Sequence, residues 1–323
     1  MAKRALGPAT LAVVQAVEAV ADGPLLVACS GGPDSLALAL AAHLVGLRRG
    51  LDVRAIVVDH RLQAGSAQVA AAVAGQLDVR GIEAVVRTVT IADSPDGTEA
   101  AARRARYAAL EAEARPGELI LLGHTLDDQA ETVLLGLARG SGTRSLSGMP
   151  VRRGAIVRPL LGLRAETTAR ACAELGVEPW LDPHNSEPRF ARVRVRQRVL
   201  PVLEDELGPG IAEALARTAE LTRRDADLLD TLAAQHTLPA RELPFPVAEL
   251  AALPVALRSR VLRDWLRSCG ANDLNAAHLE AVLALVDDWH GQRGADLPGV
   301  RVSRRDGGLW AEPSGSGGAE QAH

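Results

Sequence analysis

Apolar runs and polar clusters alternate along the first two hundred residues. Residues 24–29 (PLLVAC) read as a buried strand and 35–49 as a helix. Residues 52–58 (DVRAIVV) give a second strand, followed by a helix near 66–79. Residues 82–91 (IEAVVRTVTI) give a third strand, with a helix near 98–114. Residues 118–122 (ELILL) give a fourth, with a helix near 127–138, and 155–161 (AIVRPLL) are a candidate fifth. Strands that are continuous apolar runs, each followed by a helix, predict an α/β fold with a doubly wound, mainly parallel sheet covered on both faces. Such sheets bind ligands beyond the C-terminal ends of their strands. Three polar clusters fall there: 30–35, 59–61 and 123–128.

After about residue 200 the pattern changes. Residues 202–236 and 247–290 are helical in period, broken by LGPG at 207–210 and LPFP at 243–246. Two short candidate strands, 300–304 and 308–311, flank a hairpin-like RDGG. The expected organisation is an α/β domain over 1–205, a smaller and mostly helical domain with a short terminal hairpin over 206–312, and a disordered tail over 313–323.

Composition narrows the chemistry. Hydrophobic residues make up 47% but aromatics only 2%, so the core is built from Ala, Leu and Val. Cys29, Cys172 and Cys269 are far apart with no CxxC, which argues against a zinc ribbon or a cysteine-held cluster and suits a reducing cytoplasm. The apolar runs are too short for a membrane span. Near the N-terminus, Gln15 and Glu18 interrupt the apolar run after Lys3 and Arg4, so an amphipathic helix fits better than a signal peptide. A cytoplasmic protein with no membrane association is expected.

The cluster ACSGGPDSLAL (28–38) follows a strand and opens a helix. Unpaired N–H groups and the helix dipole favour an anion at such a junction. Gly31 and Gly32 let a ligand approach the backbone, and Pro33 suits a first helical turn. Ser30 and Ser35 suit phosphate oxygens, and Asp34 suits a bridging metal ion. No lysine follows, so this is not a Walker loop. An alternative is a capped strand–helix turn without ligand. In GHTLDDQAET (123–132), His124, Asp128 and Glu131 fall on one helical face, and Asp127 and Glu131 lie four apart. Carboxylates there suit Mg²⁺ or a cationic substrate, although Asp127 and Asp128 also simply complement a helix dipole. Between 139 and 198 twelve arginines face five acids, an excess of seven that suits a nucleic-acid backbone despite a net charge of −4. Only Trp180 and Phe190 lie nearby to stack an unpaired base.

SGGPDS after the first strand resembles the pyrophosphate loop of the ATP pyrophosphatases, which split ATP into AMP and pyrophosphate and whose sheet is adenine nucleotide alpha hydrolase-like. GHTLDDQAET further resembles the GHxxDDQxET block of the tRNA(Ile)-lysidine synthase family. VDHRLQAGS (58–66), EAAARRARYAAL (99–110), RGSG (139–142), RPLL (158–161) and DPHNSEPRFARVRVRQRVLP (182–201) match other blocks in order, with weaker similarity at 289–302. The resemblance implies ligation of free L-lysine to the wobble cytidine of a CAU-anticodon isoleucine tRNA, through an ATP-dependent adenylated intermediate. It implies ATP binding by Ser30, Gly31, Gly32, Pro33, Asp34, Ser35, Asp59, His60 and Arg103, with Mg²⁺ on Asp34. Asp128 and Glu131 would hold the lysine ammonium, with Asp127, Arg139, Gly140, Ser141, Gly142, Asp182 and Asn185 on the substrate or tRNA side. His124, Arg192 and Arg196 join Asp34, Asp128 and Glu131 as catalytic candidates. Arg106 is a further candidate for phosphate charge, and Arg139–Gly142 also read as a helix C-cap. Arg and Val alternate over 192–196, which by period predicts a strand; the family pattern makes the segment a helix, with Arg192 and Arg196 on one face. His184 and Val193 depart from the family's usual serine and asparagine. A homodimer is also expected from relatives.

Overall fold

The computed structural model describes residues 6–61, 65–90, 98–140, 142–181, 187–236 and 244–314. The chain divides into two compact units, Met1–Glu220 and Leu221–His323.

In the first unit, helix α1 (Pro8–Glu18) precedes strand β1 (Leu25–Ala28), α2 (Pro33–Arg49), β2 (Val53–Asp59), α3 (Ser66–Asp78) and β3 (Glu83–Thr88). Then come α4 (Thr98–Glu113), β4 (Leu119–Leu122), α5 (Leu126–Ala138), α6 (Thr143–Leu146), β5 (Arg152–Arg153), β6 (Ile156–Val157) and α7 (Ala165–Glu174). The strands form one sheet in the order β3-β2-β1-β4-β6-β5. All neighbours are parallel except β5 and β6. The chain steps from β1 to β2 and β3 on one side, then returns to place β4 on the other. Strand order therefore reverses between β1 and β4, the switch point at which open parallel sheets form a crevice.

Burial alternates along the strands and divides the core between the two faces. Leu25 and Val27 pack with Val13, Val17, Leu36 and Ala171 from α1, α2 and α7. Leu26, Ile56, Ile120 and Leu122 pack instead with Leu110 and Tyr107 of α4. The candidate fifth strand is shorter than its apolar run. Only Ile156–Val157 pairs with β4, because Pro159 lacks the N–H a ladder needs and Pro159–Gly162 coil into a 3₁₀ turn.

Beyond residue 187 the arginine-rich segment is helical and not a strand. It begins as α8 (Ala191–Arg194), widens into a π turn over Val195–Val199 and continues as α9 (Leu200–Leu207). Val195 and Leu200 join Leu126, Ala130 and Ala212 in a small apolar cluster that fastens this segment to α5. Helix α10 (Ile211–Ala234) crosses the division between units, which falls later than the change of pattern near residue 205.

The second unit contains β7 (Phe245–Pro246), α11 (Val247–Ala252), α12 (Val255–Ser268), α13 (Ala276–Asp287), β8 (Ala295–Leu297), β9 (Val300–Arg305) and β10 (Gly308–Pro313). The expected hairpin is β9–β10, and Asp306 and Gly307, both at positive φ, make its turn. β7 and β8 extend it to a four-stranded antiparallel sheet in the order β7-β10-β9-β8. Phe245 and Trp265 meet edge to face at 5.6 Å in its core, where two of the chain's few aromatics are concentrated. Of the segment expected to be a disordered tail, Pro313 ends β10, and residues 315–323 lie outside the described residues.

Candidate functional site

The register of the switch point builds the site. β1 pairs with β4 so that Ala28 stands beside Leu122. Both strands end there, and the loops that follow leave the sheet side by side. A Cβ on Gly123 would lie 3.0 Å from the backbone of Asp34 and Ser35, tighter than an ordinary contact, so the second loop runs directly against the first.

The first loop is braced from within. Ser35 is buried, and its Oγ accepts from the Ser30 N–H at 3.1 Å and donates to the Gly32 carbonyl at 3.1 Å. Ser30 is exposed and its hydroxyl lies 3.2 Å from that of Ser35. Gly31 has φ +84°, with the Val73 side chain where its Cβ would stand. Its carbonyl accepts from the Trp180 N–H at 3.0 Å, which ties a residue expected to stack a base to the loop through its backbone. Gly32 caps α2, and Pro33 opens it. The Asp34 carboxylate accepts a hydrogen bond from the buried Thr168 hydroxyl of α7. Burial pushes the Asp34 carboxyl up to about 6, against the Thr168 hydrogen bond and with Asp128 adding to the rise.

The second loop ends in a capping box. The Thr125 side chain accepts from the Asp128 N–H, and Asp128 Oδ2 accepts from the Thr125 N–H at 2.9 Å. The helix starts at Leu126, so His124 precedes the cap and does not ride on the helix face with Asp128 and Glu131. Burial drives the His124 imidazole down to about 3 despite the pull of Asp128, with Arg106, Arg158 and Arg103 adding to the fall; the ring is neutral at physiological pH.

The three carboxylates of α5 take different tasks. Asp127 Oδ2 accepts from the Ala165 N–H at 2.7 Å, capping α7, while Oδ1 pairs with Arg164 at 3.2 Å. Asp128 Oδ1 accepts from Arg196 at 3.0 Å. Glu131, fully buried, accepts from Arg196 Nε at 2.5 Å. Its Oε2 has no hydrogen-bond partner, although Arg192 Nε lies 3.7 Å away. Arg192 and Arg196 do share a face, turned toward Glu131. Burial raises the Glu131 carboxyl to about 7, against the charge of Arg196. Between α5, the π turn, α9 and the start of α10 lies a cleft of about 130 Å³ in which Leu200, Pro201 and Ala212 stand among charged side chains, the acids Asp127, Glu131 and Glu204 and the arginines Arg164 and Arg196.

The remaining expected residues are scattered around this centre. Asp59, at the end of β2, is buried: desolvation pushes its carboxyl up, but hydrogen bonds from Ser66 and the Arg61 N–H outweigh it, and the net direction is down. His60 beside it is half-buried, with Nδ1 unpartnered. Arg103 lies over the Tyr107 ring at 4.9 Å. Arg139 caps the C-terminus of α5, Gly140 follows at φ +63°, and Gly142 precedes α6, the arrangement of a helix stop. Val193 is buried. Ser141, Asp182, His184 and Asn185 lie outside the described residues. Sequence reasoning missed Thr168, whose link to Asp34 joins positions too distant for any local pattern. It also missed Gln129, whose side-chain amide clasps the Met149 backbone at 2.7 and 2.9 Å.

Oxygen donors at Asp34, in the first turn of α2, fit Mg²⁺, which takes one or two carboxylates and completes its shell from phosphates and water. Among the described residues no group of three or more His, Cys, Asp or Glu is arranged to hold a metal on its own. No described helix is long and apolar enough to cross a membrane.

Residues 9–203 match the model of a PP-loop domain family, and residues 245–310 that of the TilS substrate binding domain. The chain is 51% identical over 303 residues to a tRNA(Ile)-lysidine synthase of Leifsonia xyli, covering 91% of both chains. It is 48% identical over 317 residues to one of Cutibacterium acnes, covering 96% of this chain and 98% of that relative. Among solved structures, the U34-tRNA thiolase NcsA from Methanococcus maripaludis aligns with a TM-score of 0.53 at 18% identity, over 67% of this chain and 78% of that one, a likeness of fold. Both domain models in this order, with identity near one half over nearly the full length of the relatives, place the chain in the tRNA(Ile)-lysidine synthase family.

Proposed function

We propose that the chain ligates free L-lysine to C2 of the wobble cytidine in tRNA(Ile) with a CAU anticodon, using ATP and releasing AMP and pyrophosphate. The cytosine O2 attacks the α-phosphorus of ATP and pyrophosphate leaves. The lysine ε-amine then attacks C2, AMP leaves with its electron pair, and the amine loses its protons. The product pairs as an isoleucine anticodon and not as a methionine one.

The observation that carries this reading is the adjacency of the loops after β1 and β4, which sets the start of α2, suited to phosphate, beside buried carboxylates. Ser30 and the first N–H groups of α2 receive the phosphates that leave. Asp34 would hold Mg²⁺, which supplies charge neutralisation to the pyrophosphate. Asp128 and Glu131 receive the lysine ammonium once Arg196 gives way, and Leu200, Pro201 and Ala212 line the cleft along its butyl stem. With its carboxyl near 7, Glu131 is suited to take a proton from that ammonium. Neutral His124 offers a hydrogen bond without adding charge.

The test is incubation with ATP, Mg²⁺, labelled lysine and unmodified tRNA(Ile) bearing CAU. Label in the anticodon supports the proposal. ATP consumption without label in the RNA removes the substrate assignment and leaves only the ATP chemistry.

A further inference from the structure

Successive residues at the start of α5 are fastened to different parts of the chain. The Leu126 N–H donates to the Leu163 carbonyl at 2.9 Å, and Asp127 accepts from the Ala165 N–H. Asp128 turns to its own cap and to Arg196. Gln129 goes elsewhere. Its Oε1 accepts from the Met149 N–H at 2.7 Å, and its Nε2 donates to the Met149 carbonyl at 2.9 Å. Both ends of one side-chain amide thus close on the backbone of one residue, and Gln129 and Met149 are both buried.

This clasp lies on the face of α5 turned away from Glu131. Gln129, Val133 and Gly136 recur at i, i+4 and i+7, and all three are buried. Glu131 stands two residues from Gln129 on a helix of 3.6 residues per turn, so it faces the opposite way, where it meets Arg196. The chain that leaves α5 runs back along the Gln129 face. A Cβ on Gly136 would lie 3.1 Å from Ser145 Oγ, and a Cβ on Gly148 would lie 2.5 Å from Gln129 Oε1. Thr143, Arg144 and Ser145 of this returning segment stay exposed, just beyond Arg139–Gly142. A turn of α5 about its axis breaks the clasp and leaves the Met149 N–H and carbonyl buried without partners, which costs more than the hydrogen bonds themselves contribute.

We propose that Gln129 is a positioning residue for lysine transfer: its clasp on Met149 sets the rotation of α5 and so aims Asp128 and Glu131 at the lysine ammonium. The proposal rests on the lysine reading above and deepens it. Asp34 is held separately, by Thr168 of α7, so the adenylation step stands apart from the clasp.

The test compares the unsubstituted full chain with Gln129→Glu and Gly148→Ala in two assays with tRNA(Ile) bearing CAU: exchange of pyrophosphate into ATP, and transfer of labelled lysine at varied lysine concentration. Glutamate keeps the side-chain length and the acceptor for the Met149 N–H, but sets an oxygen against the Met149 carbonyl. A Cβ on Gly148 displaces the Gln129 amide without altering α5. Each variant is expected to raise the KM for lysine by about tenfold and to change pyrophosphate exchange by less than about twofold, because a small misplacement of the holding groups suffices. Gly148→Ala carries the test if the glutamate variant fails to fold. A side chain that only holds the fold together lowers both rates in parallel and leaves the KM unchanged, and that result overturns the proposal. An unaltered KM in both variants overturns it too, as does a rise in Gln129→Glu that Gly148→Ala does not share. Exchange without lysine transfer by the unsubstituted chain removes the lysine reading itself, and the positioning role with it.

Discussion

Glu131 is fully buried on α5, and its carboxylate meets the guanidinium of Arg196 from the π-widened helix at 2.5 Å. The same guanidinium reaches Asp128 at 3.0 Å. A protein cation thus occupies the carboxylates proposed to hold the lysine ammonium. π turns recur at functional sites because the extra residue per turn re-aims side chains. Here the turn begins immediately before Arg196.

Removing Arg196 exposes the cost of that burial. Arg196→Met leaves Glu131 without its counter-charge, which predicts a loss of about 2 kcal/mol at pH 8, less than for a fully buried pair because Arg196 is half exposed. At pH 6 the Glu131 carboxyl, already near 7, holds its proton and the loss shrinks. Urea unfolding at the two pH values checks this; a loss independent of pH would show that the pair contributes through packing alone.

Glu131 also gives stability a pH dependence whose sign is fixed. Its carboxyl rises from 4.5 to about 7 on folding. The associated stability is fully present below the unfolded value and is lost as pH rises through the folded one. The span corresponds to roughly 3 kcal/mol by the pH 8 end. Glu131→Gln removes the term, so the unsubstituted protein should lose stability relative to this variant from pH 5 to pH 8. Parallel curves would refute it. In the lysine reaction, an ionised Glu131 holds the ammonium better, so the KM for lysine should fall as pH rises through 7, and the glutamine variant should lose that slope.

What the sequence made legible was local. SGGPDS and GHTLDDQAET announce strand–helix junctions because glycine, proline and capping residues act over one turn. The alternation of apolar runs with helices implies the parallel sheet that sets the two loops together. What stayed hidden depended on contacts across the fold. Asp127 looks like a partner of Glu131 by spacing, yet α7 arrives to take its carboxylate at the Ala165 N–H. The alternation from Arg192 to Arg196 mimics a strand by period, and the helix is expected from the family pattern instead; in the fold Val195 and Leu200 pack it against α5. β7 and β8 span two and three residues, too few for a period to be seen.

Thr168 sits far from the loop in sequence, but its hydroxyl donates to the Asp34 carboxylate and lies 2.7 Å from the Ala165 carbonyl. It is completely buried. Thr168→Val keeps the shape and removes the hydroxyl, so Asp34 loses the group that aims it. Exchange of pyrophosphate into ATP, measured with tRNA present, should drop by about tenfold, an effect of one hydrogen bond to a charged group. Thr168→Ser restores the hydroxyl and should recover most of the rate. If serine is no better than valine, packing rather than aim explains the loss.

Gly31 tests whether the loop's backbone shape is required for phosphate binding. Its φ of +84° disfavours any side chain, and a Cβ would run into Val73 of α3. Both faults act at once in Gly31→Ala, which predicts a stability loss of about 1–3 kcal/mol. The strain can be relieved only by moving the loop or α3, and moving the loop breaks the hydrogen bond from Trp180. ATP affinity should therefore fall by more than the stability change alone explains. Val73→Ala in the same chain removes the obstruction but not the backbone strain, so it should restore stability in part. Full recovery of ATP binding in that double variant would show that the clash, and not the left-handed conformation, is what glycine avoids.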